Sequence, residues 1–304
     1  MTVESPEASV VITTRNRCKE LRTALRSCEE QTGVAYEVLV YDDASTDDTR
    51  QVIENEFIWV RYLRQEERTG YIALRNLGFQ DARGEFVFSI DDDALFTDPH
   101  TVATVVDKFR QFPAVAAFAL QFTEPKRTAR QGFMSEIGED SEVRNYIGCA
   151  HAIRREVARR LGGYPEYLIH QGEERDLCLR MLDAEYEIRY LKSPPIIHNP
   201  SQSRDHKKIG YLGLRNTFLF DVVNVPYPAV LWRLPADVIL LLKHRITLNE
   251  FPRRLWYTIR ALMACIRYLP QRKAVSRVTY SRYRTLPAHG AVSNVTKNET
   301  VQHA

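Results

Sequence analysis

The sequence predicts an α/β fold built on a mostly parallel central sheet flanked by helices. Three observations support this. Short apolar runs alternate with segments whose apolar residues recur at helical spacing, the order expected of βαβ units. The connections between them are short. Polar clusters stand at the ends of three separate runs, at 13–17, 42–45 and 91–93, where open parallel sheets place their ligands.

Taken in order, Val10-Val11-Ile12 is the first buried strand, and it ends in the polar loop Thr13-Thr14-Arg15-Asn16-Arg17. Leu21, Ala24, Leu25 and Cys28 follow on one helical face, closed by Gln31-Thr32-Gly33. Residues 36–41 are a second strand that runs into Asp42-Asp43-Ala44-Ser45-Thr46-Asp47. A helix over 49–55, a strand over 59–63 and a helix over 72–81 come next, before Gly84. The strand at 85–90 delivers Asp91, Asp92 and Asp93 directly after it. Beyond it the pattern predicts a helix at 101–112, strands at 115–122 and 145–152, and an irregular polar stretch over 124–142. Helices at 154–161 and 173–182 and a strand at 187–191, leading to Pro194-Pro195-Ile196-Ile197-His198, complete this part.

With 44% hydrophobic and 27% charged residues, the composition is that of a soluble globular chain and excludes wholesale disorder. The cysteines Cys18, Cys28, Cys149, Cys178 and Cys265 are odd in number and form no CxxC pair, so neither a disulfide framework nor a zinc knuckle is expected. Cys149 is read as packed, not reactive. Residues 1–8 lack the features of a signal peptide, and a cytoplasmic location is expected. The sequons at Asn294 and Asn298 lie in a polar tail and are read as chance matches. Between Lys243 and Arg284 stand eleven Lys/Arg residues and one acid, a net +10, which leaves −7 for the rest of a chain whose total is +3.

Three adjacent carboxylates repel one another unless a cation or solvent compensates. Mg2+ and Mn2+ take oxygen ligands and bridge carboxylates to substrate phosphates. Alternate residues of an extended segment share a side, so Asp91 and Asp93 reach the same space. A solvated acidic turn accounts for the triplet alone equally well.

The neighbouring motifs bear on that choice. Thr13-Thr14-Arg15-Asn16, Asp42-Asp43-Ala44-Ser45-Thr46-Asp47, Arg75-Asn76-x-Gly78 and the triplet resemble, in order, the donor-site motifs of the family 2 glycosyltransferases. Residues 148–153, Gly162-Gly163-Tyr164, Glu173-Glu174-Arg175-Asp176-Leu177-x-x-Arg180 and His198 resemble the acceptor-side motifs. The resemblance implies a GT-A fold with a Rossmann-like sheet, a nucleotide-diphospho-sugar donor, Mn2+ or Mg2+, a glycan or lipid-linked acceptor, and inversion at the anomeric carbon. It puts Thr13 and Asp43 at the nucleobase, Arg15 and Asp92 in the nucleotide-sugar pocket, and Arg75 near the diphosphate or ribose. It makes Asp93 the direct metal ligand, Asp91 a ribose or metal contact, His198 the residue completing the coordination, and Gly148 and Glu173 acceptor-side positions. Glu174 takes the place of the catalytic base, where aspartate is more usual, and Ala44 replaces a common glycine. Structural roles compete at several positions: a helix cap for Asp43, a surface arginine for Arg75, and a first-turn acid on the helix dipole for Glu174. Asp176 and Arg180 suit an i,i+4 ion pair. A noncatalytic nucleotide-sugar or glycan-binding protein on the same fold is the alternative, opposed by retention of every acid. The first strand–helix turn lacks GxGxxG, which disfavours a dinucleotide-dependent dehydrogenase.

The expected organisation is a catalytic domain over 1–222, with a nucleotide-sugar half at 8–98 and an acceptor half at 99–222. A basic helical extension over 223–286 and a disordered polar tail over 287–304 follow. In the extension Leu255, Ile259, Leu262, Ile266 and Leu269 fall on one helical face and Arg253, Arg260 and Arg267 on another. Such a helix, within the basic segment 243–284, either lies peripherally on an anionic membrane, at the inner face of the cell membrane, or packs on the domain. The apolar stretch 226–242 is interrupted by Arg233, Pro235 and Asp237 and does not read as a span. Nothing points to base readout, so no nucleic-acid partner is expected.

Overall fold

In the computed structural model, residues 5–125, 137–199, 206–243 and 251–289 are described. Strand β1 (Ala8–Thr14) lies between β2 (Tyr36–Asp42) and β4 (Phe86–Asp91), parallel to both, and β3 (Arg61–Arg64) extends the parallel set beyond β2. The register sets Thr13 opposite Tyr41 and Asp91, and Thr14 opposite Asp42, so three polar strand ends meet. Strands β1, β2 and β4 are covered on both faces, which is why they read as near-continuous apolar runs, whereas β3 at the edge is only partly buried.

Helices α1 (Cys18–Glu29), α2 (Thr49–Glu56), α3 (Tyr71–Asp81) and α4 (Thr101–Gln111) stand within two or three residues of their expected bounds. Leu21, Ala24, Leu25 and Cys28 are the buried face of α1, as their spacing requires. Gly78 lets α3 lie against β1: an added Cβ there would fall 2.7 Å from Val11 Cγ1.

The second half of the sheet is mixed, and the strand order is β3-β2-β1-β4-β7-β6-β8-β5. Here β7 (His151–Arg154) runs antiparallel to β4 and to β6 (Val115–Thr123), while β8 (Glu187–His198) is parallel to β6. The two-residue β5 (Ala94–Leu95) pairs antiparallel with the end of β8 and sets Ala94 opposite His198. That pairing carries His198 to the aspartate triplet, and Asn199 N donates to Asp93 O at 2.9 Å. Two expectations change here. The strand expected from 145 begins at His151, because 145–150 forms a loop around Gly148. The strand expected to stop at 191 continues to His198, because Leu120 pairs with Leu191 and Phe122 with Ile196, so the double proline sits in a bulge opposite Gln121.

Helices α5 (Arg155–Arg160) and α6 (Glu173–Asp183) match expectation. The remaining helices are α7 (His206–Asn224), α8 (Ala229–Lys243), α9 (Phe251–Tyr268) and α10 (Arg277–Thr285). The expected boundary at 222 falls inside α7, and α9 packs on α7. The chain then returns to the core: Lys273 N donates to Val223 O and Val275 N to Asn224 O, each at 3.0 Å, and Arg282 pairs with Glu142. His289, expected in a disordered tail, is buried against Phe122 and Tyr190. Residues 287–289 are therefore not part of a disordered tail, and 290–304, with Asn294 and Asn298, lies outside the described residues. Among the described residues, no helix is long and apolar enough to cross a membrane.

Candidate active site

The triplet that closes β4 divides its work. Asp92 turns back into the sheet, where Thr14 Oγ1 donates to Oδ2 at 2.9 Å and Arg17 Nη1 donates to Oδ1 at 2.9 Å. Burial, reinforced by the charge of Asp93, pushes the Asp92 carboxyl up to about 7 against the pull of Arg17. Arg17 Nη1 also donates to Asp93 Oδ2 at 2.7 Å. Arg17 was not singled out in the sequence. Its one signal was a positive charge on a loop of the same strand-end cluster as three acids.

His198 Nε2 lies 3.2 Å from Asp93 Oδ1 and 3.7 Å from Asp91 Oδ2, while Nδ1 lies 2.9 Å from Glu124 Oε1. Burial works against protonation of His198, but hydrogen bonds with Asp93, Cys149 and Glu124 outweigh it and push its pKa up to about 12. Burial likewise opposes ionisation of Asp93, and its bonds to His198 and Arg17 prevail, holding that carboxyl below the usual range. Arg17 and His198 are thus the basic partners of these carboxylates. A divalent cation fits this chemistry. One ligand atom each from Asp91, Cys149 and His198 lies within 4.8 Å of the other two, and a carboxylate on the far ring nitrogen is the usual way a ligating histidine is oriented. Cys149, expected only to pack, is therefore part of the cluster.

Arg75 is buried and joins this corner to the next. Its Nη2 donates to Asp91 Oδ1 at 2.6 Å and to Gly148 O at 3.1 Å, while Nη1 lies 3.4 Å from Glu173 Oε1 and 3.8 Å from Glu174 Oε1. Its guanidinium carbon stands 5.0 Å over the Tyr71 ring. The surface-arginine alternative is thereby removed. Glu173 and Glu174 occupy the first turn of α6, where helix-dipole stabilisation and a role in the crevice are compatible. The Glu173 side chain is closed off, whereas that of Glu174 retains 19% exposure. Burial and the charge of Glu173 push Glu174 up to about 8, with Arg75 pulling the other way. An added Cβ at Gly148 would meet both Glu174 Oε1 and Arg75 Nη1, so glycine is what lets these two side chains lie against the backbone.

Asn76, next to Arg75, clamps Tyr164: its Nδ2 donates to Tyr164 O at 2.9 Å and its Oδ1 accepts from Tyr164 N at 2.7 Å. Gly163, at φ +66°, leaves room for that amide. Arg180 Nε donates to Asp176 Oδ1 at 2.7 Å, the i,i+4 pair that the spacing suggests. On the β2 side, Asp42 accepts bonds from Tyr62 Oη, Arg64 and Ser45 N. Asp43 Oδ1 accepts from Thr69 N at 2.6 Å and Gly70 N at 3.1 Å, holding the segment that leads into α3. Thr13 is half-buried at the strand end, and Arg15 is exposed at its mouth.

A mixed sheet with these loops at the carboxyl ends of β1, β2 and β4 is the GT-A architecture, and the protein is a glycosyltransferase. Glycosyl transferase family 2 matches residues 9–162, and the chain belongs to that family. An uncharacterized glycosyltransferase of Bacillus subtilis is 32% identical over 222 residues, which cover 69% of this chain and 81% of that protein. The GalNAc(5)-diNAcBac-PP-undecaprenol β-1,3-glucosyltransferase of Campylobacter jejuni is 37% identical over 92 residues, which span 29% of this chain and only 30% of that enzyme. Among solved structures, S. aureus TarS 1-349 in complex with UDP-GlcNAc superposes with a TM-score of 0.64 at 19% identity, covering 87% of this chain and 82% of that one. A mannosyltransferase from Pyrobaculum calidifontis in complex with GDP-Man and Mn2+ gives a TM-score of 0.55 at 20% identity, covering 88% of each chain.

Proposed function

We propose that this chain is an inverting glycosyltransferase that moves a sugar from a nucleotide-diphospho-sugar to a hydroxyl of a glycan or lipid-linked acceptor, with Mn2+ or Mg2+ and with Glu174 as base. The observation that carries this reading is the buried Arg75 bridge. One guanidinium reaches Asp91 at 2.6 Å and Glu174 at 3.8 Å, so the carboxylate corner and the candidate base open on one crevice.

The acceptor hydroxyl is too weakly acidic to ionise near neutrality, so it must lose its proton as it attacks the anomeric carbon. Glu174 takes that proton. The acceptor oxygen bonds to the anomeric carbon, the bond from that carbon to the diphosphate oxygen breaks, and single displacement inverts the centre. Asp91, Asp93 and His198 would hold the divalent cation, with Glu124 fixing the imidazole. When bound, the cation neutralises charge on the departing diphosphate. Arg75 and Glu173 set the position and proton affinity of Glu174. Thr13 and Asp43 are assigned to the nucleobase end, with the Asp43-held segment at Thr69 and Gly70 as its wall. Arg15 is assigned to the donor's mouth, and Asp92 to fixing Arg17 and Thr14 beneath it. Retention of Asp43, Asp91, Asp93 and Glu174 supports an enzyme over a noncatalytic sugar-binding protein.

A membrane-surface acceptor fits the outer helices. Of the fifteen exposed large apolar side chains among the described residues, eleven lie between Tyr227 and Leu269, with Trp232 at 74% and Ile266 at 73% exposure. Helix α9 is buried on α7 through Thr258, Ala261 and Cys265, yet Leu255, Ile259, Leu262 and Ile266 remain outward, with Arg260 and Arg267 exposed beside them. One face of this helix packs on the domain, and the outward face fits an anionic bilayer surface. These exposed apolar and basic side chains support a peripheral position at the cytoplasmic face of the membrane. A thermal-shift screen of nucleoside diphosphates and nucleotide sugars with Mn2+ tests the donor reading, because a ligand specific to the native state raises the melting temperature. Failure of every nucleotide sugar to stabilise the protein would overturn it.

A further inference from the structure

We propose that Cys149 is a thiolate ligand that makes the cation site selective for thiophilic ions, so that Zn2+ or Cd2+ binds through Asp91, Cys149 and His198 in preference to Mg2+ and inhibits transfer. The inference rests on the reading that Asp91 and His198 hold a cation, and adds a ligand and a selectivity to it.

The donor set is unusual for a site that serves phosphates. Hard Mg2+ takes oxygen ligands and keeps several waters, whereas sulfur and imidazole together suit zinc-like ions. Cys149 is buried, in the loop held by Ala150 N donating to Ile147 O at 3.0 Å and by Gly148 O accepting from Arg75. Its sulfur, an Asp91 oxygen and a His198 nitrogen lie within 4.8 Å of one another. Zinc binds these atom types at about 2.0–2.3 Å with tetrahedral geometry, so two ligands of one ion stand about 3.3–3.8 Å apart. From separations within 4.8 Å, a contraction of at most about 1.5 Å brings the three atoms to chelating distance. Glu124 occupies Nδ1 of His198 and leaves Nε2 on the Asp91 side. Among the described residues, Cys18, Cys28, Cys178 and Cys265 belong to no such group. Binding transfers the thiol proton to solvent.

The test is a Co2+ titration of the full chain, followed by absorption, with Zn2+ and Mn2+ competition. The expected result is a sulfur-to-cobalt charge-transfer band together with the weaker visible d–d bands. In Cys149→Ser and Cys149→Ala the charge-transfer band vanishes while the d–d bands persist, which also reports that the variants fold. Zn2+ affinity falls by about 100-fold, the upper end of the cost of losing even an outer partner of a metal site, and Mn2+ affinity changes by less than about threefold. Cobalt d–d bands without charge transfer in the wild type, or a charge-transfer band that survives in both variants, would overturn the assignment. Absence of any divalent binding would overturn the underlying cation reading as well, and is distinguished by the missing d–d bands.

Discussion

Gly148→Ala should separate catalysis from folding. An added Cβ would lie 3.0 Å from Arg75 Nη1 and nearer still to Glu174 Oε1. Restoring an ordinary separation of about 3.5 Å requires the Glu174 carboxylate to retreat by about 1 Å. Both neighbours are the ends of flexible side chains, and Gly148 has no positive φ, so the backbone can keep its path. A displacement of about 1 Å at a reacting group costs about 100-fold, or about 2.7 kcal/mol in the barrier. Initial rates at saturating donor and acceptor should show kcat lower by about that factor, with donor affinity by calorimetry near wild type. The melting temperature should fall by no more than about 3 °C, equivalent to about 1 kcal/mol for a chain of this size. A folded variant with kcat within about threefold of wild type would refute the placement of Glu174 against Gly148.

Chelation by EDTA should abolish transfer and added Mn2+ should restore it; Asp93→Ala, which removes one partner each of Arg17 and His198, should abolish it irreversibly. Full activity in EDTA would exclude the metal role. Because Glu174 accepts a proton only when ionised and its carboxyl is raised to about 8, kcat/KM should fall about tenfold per pH unit below that value and level off above it. A profile flat from pH 6 to 9 would count against the base assignment. Anionic vesicles should sediment the protein at low salt, and a Trp232→Ala, Trp256→Ala double variant should lose most of that binding while keeping transfer to a soluble acceptor. Equal recovery with neutral vesicles would remove the electrostatic part of the proposal.

The donor half was legible because its strands are covered on both faces and their ends are polar. Val10-Val11-Ile12, the triplet and the apolar face of α1 each signal their place locally. What the sequence did not disclose depends on contacts between distant residues. Glu124 orients His198 from 74 positions away, through the pairing of β6 with β8. Cys149 reaches the cluster only because 145–150 loops around Gly148, and that loop was hidden by an apolar pattern that read as strand. The two-residue β5 is too short for periodicity to reveal, yet it sets His198 beside Asp93. The return of 273–289 onto the core was likewise invisible, since His289 carries no pattern that marks it as buried.

The most direct test is Glu174→Gln, assayed with the nucleotide sugar that stabilises the wild type in the presence of Mn2+. Glutamine preserves shape and removes the base, so donor and Mn2+ should bind within about threefold of wild type while transfer falls by about 10²–10⁴-fold. Transfer at a rate near wild type, or a loss of donor binding that accounts for the whole defect, would contradict the role of Glu174 as base.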